Sequence, residues 1–488
     1  MDSEVTKSGF PALVIRKDGF VPVGAFAEAT AVFLRPDPQT TRSVDALLRT
    51  KNVGLVAHFY MDPEVQGVLS SCAWAHIHIS DSLAMADHAI AMARAGVSAI
   101  AVLGVDFMSE NVRAMLDASG FGAIPVYRLS ERRIGCSLAE AAEMPAYTAY
   151  LERAASVPTS LHVIYINTSL EVKARGHAIV PTITCTSSNV VQTVLQAFAQ
   201  IPNVHVWFGP DTYMGENLAK LFARLPALGD APIAQLHAAH DHASIQRLLP
   251  RFHHFEQGAC IVHHMFGASV VDRVRRYHSD AFVTAHLEVP GEMFELALEA
   301  QGRGRGVVGS TSDILNFIDK RVEEAVLEST PRRLSFVLGT EAGMITSIVR
   351  RVESALAKGP NGIDVEIVFP VAADAIATTG QADLPVVPGV AAGEGCSTAG
   401  GCATCPYMKM NSLDALEALL GRIGENGALA AHHPRAYTDQ IGGRSLADLG
   451  TEPILSMRSL QQTGALPEKL VGLVLGQTGL SPAAIAAR

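Results

Sequence analysis

Apolar and polar positions along this chain follow a pattern that occurs three times. Each copy begins with a short apolar run that ends in polar or aromatic residues, at residues 53–60, 161–168 and 281–288. A short run of β-favouring residues with a polar tip indicates a buried strand whose carboxyl end carries chemistry. The pattern therefore predicts three similar copies with one common order of elements.

A second predicted strand in each copy stops at a cluster of small hydroxyl residues, and a helical pattern follows directly. The clusters are Ser80-Asp81-Ser82, Thr186-Ser187-Ser188 and Ser310-Thr311-Ser312. Such residues are the expected N-caps of helices. Two interpretations stand: the clusters only cap helices, or they also bind an anion, because they occur at the same strand-to-helix turn in every copy.

A third predicted strand ends in a glycine followed closely by a carboxylate, at residues 104–106, 209–211 and 339–341. A fourth apolar segment then leads to one cysteine per copy. These are Cys136, Cys260 and Cys405. Ligands of open parallel sheets bind at the carboxyl ends of the strands. Three copies around a pseudo-threefold axis would bring the strand tips and the cysteines to one central site.

The alternation of strands and helices predicts the α/β class, with three three-layer αβα domains and mainly parallel sheets. The length of 488 residues agrees with about three domains. We predict an N-terminal extension over residues 1–45 and α/β units over 46–158, 159–280 and 281–370. A loop over 371–410 then delivers the last cysteine, and a helical segment over 411–488 packs on the body.

Composition and charge exclude several classes of protein. A net charge of −10 argues against general nucleic-acid binding, and no apolar run is long enough to span a membrane. The first 15 residues contain Asp2 and Glu4 and lack a long apolar core. This predicts no secretory or transit signal and a cytoplasmic protein, in which the seven cysteines are reduced. Metal or catalytic roles for them are then favoured over disulfides.

Three cysteines from distant segments are a poor zinc signature, since structural zinc sites pair their ligands as C-x₂₋₄-C. Only Cys402-x-x-Cys405 has that spacing. Three thiolates suit a [4Fe–4S] cluster with one open iron, which acts as a Lewis acid on a substrate hydroxyl and carboxylate. From spacing alone, buried structural cysteines stand as the alternative.

The order of these motifs resembles that of the quinolinate synthases, the iron–sulfur enzymes of de novo NAD biosynthesis. The resemblance covers roughly residues 50–415. It rests on Ala57-His58-Phe59-Tyr60, Asp81-Ser82-Leu83, residues 104–108, Gly135-Cys136-Ser137, Tyr165-Ile166-Asn167-Thr168, residues 186–189, Cys260-Ile261-Val262-His263, residues 309–312, Gly339-Thr340-Glu341 and residues 405–411. Residues 180–190 and 395–402 look like the longer plant and cyanobacterial branch. The sulfur-transfer domain that precedes the plant enzyme is not expected in this chain.

The resemblance implies three αβα domains around a pseudo-threefold axis with a central active site. It implies that iminoaspartate and dihydroxyacetone phosphate give quinolinate, phosphate and two waters, with functional coupling to an enzyme that produces iminoaspartate. It also implies that Cys136, Cys260 and Cys405 hold the cluster, and that Tyr60 helps the chemistry. The positions that bind iminoaspartate or later intermediates would be His58, Ser82, Tyr165, Asn167, Ser187, His286, Glu288 and Thr311.

Glu288 is the candidate general base, because ring formation requires removal of a C–H proton and loss of hydroxide. The alternative is a solvated or capping carboxylate before Pro290. His58 and His286 would donate hydrogen bonds or carry protons near pH 7, or be structural. Tyr60 and Tyr165 would polarise a carbonyl or the imine, or simply pack. Asn167 offers a donor and an acceptor to one carboxylate.

The sequence departs from the commoner bacterial pattern in three places. His264 follows His263 where an acidic residue is usual, Leu287 replaces a usual proline, and the spacing from Tyr60 to Ser82 is longer. None of these changes removes a ligand.

Two other functions stay open: a cluster-dependent hydro-lyase acting on another hydroxy acid, and a non-enzymatic redox or zinc protein built on Cys402 and Cys405. That pair is also a candidate reversible disulfide, with a spare thiol at Cys402 as the alternative. Cys72 and Cys185 are expected to be buried or incidental.

Overall fold

The computed structural model describes residues 9–370, 376–378, 386–388, 404–425 and 429–476. The strands in these residues are β1 Ala12–Arg16, β2 Gly19–Val23, β3 Val53–His58, β4 Ile77–Ser80, β5 Ala99–Leu103, β6 Val126–Arg128, β7 Ser160–Tyr165, β8 Thr182–Cys185, β9 His205–Gly209, β10 Phe252–His254, β11 Phe282–His286, β12 Gly306–Gly309, β13 Arg332–Gly339, β14 Ile363–Val368, β15 Ile376–Thr378, β16 Val386–Pro388, β17 Gln440–Ile441 and β18 Arg444–Ser445.

The α-helices alternate with these strands over most of the chain. They are α1 Ala25–Phe33, α2 Pro38–Lys51, α3 Pro63–Ser71, α4 Ser82–Arg94, α5 Asp106–Ala118, α6 Ser137–Glu143, α7 Pro145–Ser156, α8 Leu170–Ile179, α9 Val190–Gln200, α10 Thr212–Arg224, α11 Asp230–Leu236, α12 His242–Leu248, α13 Ala268–Tyr277, α14 Gly291–Gly302, α15 Thr311–Glu328, α16 Ile345–Ala357, α17 Leu413–Arg422, α18 Leu446–Thr463 and α19 Glu468–Gly476.

The chain separates into two compact units. The first compact unit comprises residues 1–135 and 261–434, and the second comprises residues 136–260 and 435–488. The first unit holds the sheets that contain β3 and β11, and the second holds the sheet that contains β7.

The three copies predicted from the sequence have one strand order. The parallel sheets run β4-β3-β5-β6, β8-β7-β9-β10 and β12-β11-β13-β14. In every copy the first strand pairs in parallel with the second and the third, and the fourth pairs with the third. Helices such as α4, α8 and α14 pack on these sheets. The predicted α/β class, with repeated parallel sheets flanked by helices, is confirmed.

The central strands are buried because crossover helices cover parallel sheets. β3, β5 and β7 are buried along their whole length, which explains why β3 and β5 are nearly continuous apolar runs rather than alternating patterns. Each first strand nevertheless ends in a polar or aromatic residue, which places chemistry at the carboxyl edge of its sheet.

The segment before the first copy adds a hairpin to the third sheet. β1 pairs antiparallel with β14, where Ala12 lies opposite Val368, and with β2. Four of its five residues are buried. The third sheet therefore has six strands, and its edge is formed from the beginning of the chain.

Among the residues that the structure describes, no helix combines the length and the apolar character needed to cross a membrane.

Candidate active site

The register of each sheet brings the first strand tip beside the predicted hydroxyl cluster. His58 lies opposite Ser80, Tyr165 opposite Cys185, and His286 opposite Gly309. The candidate hydroxyl residue follows two positions later in every copy, as Ser82, Ser187 and Thr311. The sequence-predicted groups therefore lie at equivalent places in each sheet, at the carboxyl edge where ligands of parallel sheets bind.

The candidate hydroxyl residues are not the helix caps. Asp81, one residue before Ser82, accepts hydrogen bonds from the N–H groups of residues 83 and 84 at 3.0 and 2.9 Å. Ser310, one residue before Thr311, caps α15 in the same way. In the second compact unit Asn189 occupies the N-cap position of α9 but makes no capping hydrogen bond through its side chain; its Oδ1 accepts from the N–H of Thr186 at 2.8 Å instead. The hydroxyl groups of Ser82, Ser187 and Thr311 therefore do not cap these helices.

The two histidines at strand tips in the first compact unit share one geometry. His58 Nδ1 accepts a hydrogen bond from the N–H of Tyr60 at 3.2 Å, and His286 Nδ1 accepts from the N–H of Glu288 at 3.3 Å. An acceptor nitrogen carries no proton, so Nε2 carries it in both rings. Burial lowers the pKa of His58 to about 3 and that of His286 to about 4. Both are therefore neutral hydrogen-bond donors near pH 7, and the geometry disfavours the alternative of titrating near neutrality.

Tyr60 links two copies within the first compact unit. Its hydroxyl lies 3.0 Å from Thr311 Oγ1 and 3.2 Å from Thr340 Oγ1. Burial, and then the nearby carboxylates Glu341 and Glu288, raise the pKa of the Tyr60 phenol well above its usual value. Tyr60 therefore stays protonated and is able to donate a hydrogen bond.

A line of buried contacts continues from Tyr60 to Glu288. Thr340 Oγ1 lies 3.3 Å from His263 Nε2, and His263 Nδ1 lies 3.0 Å from Glu288 Oε2. His263 and Glu288 are therefore within ion-pair distance, but His263 Nδ1 makes no hydrogen bond to the carboxylate. The rings of His263 and His286 stack at 4.9 Å between centroids. Thr340 and His263 have no exposed surface, and Glu288 is 4% exposed. A carboxylate, an imidazole and two hydroxyls thus form one chain shielded from solvent.

Sequence reasoning assigned no role to Thr340, His263 or Glu341. All three lie inside motifs that carried the family resemblance, which was the available signal. Glu341 is 2% exposed and accepts a hydrogen bond from the N–H of Cys405. Burial, and then the neighbouring Glu288 carboxylate, raise the pKa of Glu341 well above its usual value.

Leu287, which stands where the commoner bacterial pattern has proline, makes a hydrogen bond that proline could not make. Leu287 donates its N–H to the carbonyl of Gly309 at 3.2 Å, which extends the pairing of β11 and β12 by one bond. Proline has no N–H and could not make this bond. The neighbouring departure, His264, is exposed.

The second compact unit carries Tyr165 and Asn167 at its strand tip. Tyr165 ends β7 and is 4% exposed, and Asn167 follows two residues later, half-buried. The Thr168 hydroxyl donates to the carbonyl of Tyr165 at 3.1 Å, which holds the turn against the end of the strand.

Burial alone does not separate the described cysteines into ligands and others. Cys185 is wholly buried, whereas Cys72, Cys136, Cys260 and Cys405 are all half-buried. Burial raises the pKa of the Cys185 thiol well above its usual value and that of Cys72 to about 11. A metal ligand must be a thiolate, so these two are disfavoured as ligands. Cys396 and Cys402 lie outside the described residues, and with them the candidate disulfide between Cys402 and Cys405.

Two of the three candidate ligands are tied together in the second compact unit. The hydroxyl of Ser137, next to Cys136, donates to the carbonyl of Ala259, next to Cys260, at 2.9 Å. These residues, distant in sequence, are therefore neighbours in space. In the first compact unit the donor atoms of His263, His286 and Glu288 lie within 4.8 Å of one another. This spacing is close enough for the three side chains to hold one metal ion.

Known proteins similar to this chain are plant and cyanobacterial. Two relatives named quinolinate synthase, chloroplastic, from Nicotiana tabacum and Arabidopsis thaliana, are each 54% identical over 96% of this chain and 67% of their own length. A quinolinate synthase from Prochlorococcus marinus (strain MIT 9303) is 25% identical over 80% of this chain and 86% of its own length.

The prediction of a cytoplasmic protein is wrong. The relatives at 54% identity are chloroplastic by name, which contradicts it. The charge and apolar content of the first 15 residues were not a sufficient basis for a location.

The family model described as NadA, quinolinate synthetase A protein, matches residues 42–362. This range contains the strand tips, the hydroxyl clusters and the line of contacts from Tyr60 to Glu288. Members of this family are enzymes of NAD biosynthesis that act on small-molecule substrates. The match, together with the identity to the plant relatives over nearly the whole chain, leads to one conclusion: the chain belongs to the quinolinate synthase family.

Proposed function

We propose that this enzyme condenses iminoaspartate with dihydroxyacetone phosphate to give quinolinate, phosphate and two waters. The observation that carries the proposal is the buried line Tyr60–Thr340–His263–Glu288, flanked by the neutral donors His58 and His286. Ring formation needs a C–H proton removed and hydroxide expelled as water. A single shielded line of proton-carrying groups suits both requirements.

Glu288 is the base in this proposal. Its carboxylate takes the C–H proton and becomes a carboxylic acid, and the imidazole of His263, whose Nδ1 lies 3.0 Å from Glu288 Oε2, is the next group along the line to which that proton passes. The hydroxyls of Thr340 and Tyr60 extend the line by two contacts. Tyr60, kept protonated by its surroundings, donates to the departing hydroxyl group, so that it leaves as water rather than hydroxide.

Substrate anions are bound at three helix starts. The backbone N–H groups at the beginning of α4, α9 and α15 attract negative charge, and Ser82, Ser187 and Thr311 add hydroxyl donors there. This supplies anion binding in a protein whose net charge is −10. Tyr165 and Asn167 in the second compact unit complete the set that binds iminoaspartate and later intermediates.

Cys136, Cys260 and Cys405 hold a [4Fe–4S] cluster in this proposal. The donor set fits: all three are half-buried thiols, the Ser137–Ala259 hydrogen bond makes Cys136 and Cys260 neighbours, and the two other described cysteines are disfavoured by raised pKa values. When bound, the cluster supplies an open iron that acts as a Lewis acid. Functional coupling to an iminoaspartate-producing enzyme is also part of the proposal, because a free imine hydrolyses in water.

The decisive experiment follows labelled carbon. The protein is purified without oxygen, analysed for iron and sulfide, and supplied with iminoaspartate made from oxaloacetate and ammonium, together with ¹³C₃-dihydroxyacetone phosphate. Quinolinate carrying three labelled carbons, with one phosphate released per quinolinate, is expected. Unlabelled product, or dehydration of a hydroxy acid without condensation, would favour the hydro-lyase alternative. Zinc in place of iron, with no quinolinate, would favour the non-enzymatic alternative.

A further inference from the structure

Lys173 is a fully buried lysine beneath the strand tip that carries Asn167. It lies in the first turn of α8 and has no exposed surface. Its ammonium group donates to the carbonyl of Ile166 at 3.1 Å and to the carbonyl of Thr168. These are the residues on either side of Asn167, so the lysine holds the turn from both ends.

A cation at this place is unfavourable for the fold itself. Removing an ammonium group from water costs free energy, and the start of a helix favours negative rather than positive charge. The exposed cation of the same helix, Arg175, is 66% exposed and pairs with Glu171 at 2.6 Å. Backbone carbonyls accept hydrogen bonds from neutral donors as well. Burial of an ammonium group at position 173 therefore has a cost, which the two carbonyl hydrogen bonds help to offset.

The charge acts on the two peptides whose carbonyls accept from Lys173. A carbonyl that accepts from an ammonium group is polarised, and the N–H of the same peptide becomes a stronger donor. The two peptides concerned carry the N–H groups of Asn167 and Ser169. The N–H of Thr168 also donates to the carbonyl of Ile166 at 2.7 Å, which tightens the turn. One buried ammonium group therefore fixes and polarises the peptides on both sides of Asn167.

We propose that Lys173 is a positioning residue for a dicarboxylate: it fixes the turn that carries Tyr165 and Asn167 and supplies the positive charge behind it. The inference rests on the proposed function, in which these two residues bind the substrate. Lys173 acts through the turn and does not itself react.

The test separates charge from hydrogen bonding. Lys173→Gln keeps a donor for the carbonyls and removes the charge, whereas Lys173→Met removes both. Arg175→Gln is the matched control, since it removes a positive charge from the same helix at an exposed position. Binding of quinolinate, a stable dicarboxylate, is measured by equilibrium dialysis on the cluster-loaded proteins, and the KM for dihydroxyacetone phosphate is measured beside it.

Lys173→Gln and Lys173→Met are expected to weaken quinolinate binding about tenfold or more, the scale of one charge-assisted interaction. Iron content and the KM for dihydroxyacetone phosphate stay within about twofold of the wild type, and Arg175→Gln binds quinolinate as the wild type does. Binding within twofold in Lys173→Gln overturns the proposal. Equal weakening in Arg175→Gln overturns it too, because the effect would then be general electrostatics.

The wild-type protein supplies a second test that does not depend on a variant folding. Quinolinate is expected to slow hydrogen exchange in peptides that cover residues 165–173, whereas dihydroxyacetone phosphate leaves them unchanged. Unchanged exchange with quinolinate overturns the inference. These outcomes are distinct from failure of the proposed function, in which the wild-type protein with its cluster forms no labelled quinolinate.

Discussion

Replacing Glu288 with glutamine tests the line of buried contacts that the proposed chemistry depends on. The substitution keeps the size of the side chain and its ability to accept a hydrogen bond, but the amide takes up no proton. Glu288 Oε2 lies 3.0 Å from His263 Nδ1, and a glutamine side chain of the same length is able to occupy the same place. The pocket should therefore keep its shape in Glu288→Gln.

The expected loss follows from the role of the residue. A positioned acid or base contributes about 10²–10⁴-fold in rate, so turnover should fall by about that factor. His263 belongs to the same line, which makes the two residues one functional unit. His263→Gln should cost a similar factor, and the double variant should be no slower than Glu288→Gln alone, because residues in one chain of contacts are not additive.

The assay measures quinolinate formation under anaerobic conditions, with iron content and thermal unfolding recorded for each variant. Substrate binding is followed separately, by the change in the cluster absorbance when substrates are added. A Glu288→Gln enzyme within about threefold of the wild type would refute the assignment of the base. A double variant whose loss is the product of the two single losses would refute the coupling through His263.

Three further outcomes are expected. Cys260→Ala should lose the iron chromophore, whereas Cys72→Ala should keep it; the reverse result would exclude the ligand set. Removing iron with a chelator, or exposing the enzyme to air, should abolish turnover, and iron, sulfide and reductant should restore it; full activity of a metal-free preparation would contradict the proposed cofactor. The contribution of His58 and His286 to the free energy of unfolding should decrease as the pH falls from about 7 toward 4. Unfolded histidine binds a proton near pH 6.5, whereas the folded pKa is about 3 for His58 and about 4 for His286, so protonation favours the unfolded chain in that window. In urea titrations at pH 7 and pH 5, His58→Asn should show a smaller difference in stability than the wild type.

The order of strands could be predicted from the sequence because it depends on local pattern. The apolar runs that end in His58, Tyr165 and His286 are the central strands of their sheets, and each hydroxyl cluster begins the helix expected after it. Element ends were less certain: the caps are Asp81 and Ser310, one residue before the residues singled out. Capping geometry is set by backbone angles that a pattern of residue types does not contain.

Contacts between distant segments could not be predicted in the same way. Tyr60 meets Thr311 and Thr340 across more than 250 residues, and no periodicity carries that information. Lys173 was missed because a lysine in a helical pattern indicates a solvated position, whereas here the helix turns it toward backbone carbonyls. The roles that the sequence pattern does not predict are those that depend on contacts with segments distant in sequence or on the orientation of a side chain within its helix.

The hairpin at the edge of the third sheet joins segments that are synthesised far apart in time. β1 leaves the ribosome long before its partner β14, which follows about 350 residues later. At 5–20 residues per second, roughly 18–70 seconds pass before the two strands are able to pair. β2 is able to pair with β1 early, but the edge of β1 that finally meets β14 stays unpaired throughout that time. The sheet that contributes His286 and Glu288 is therefore completed late, and until β14 arrives the nascent chain carries an unpaired apolar strand edge that is prone to aggregation.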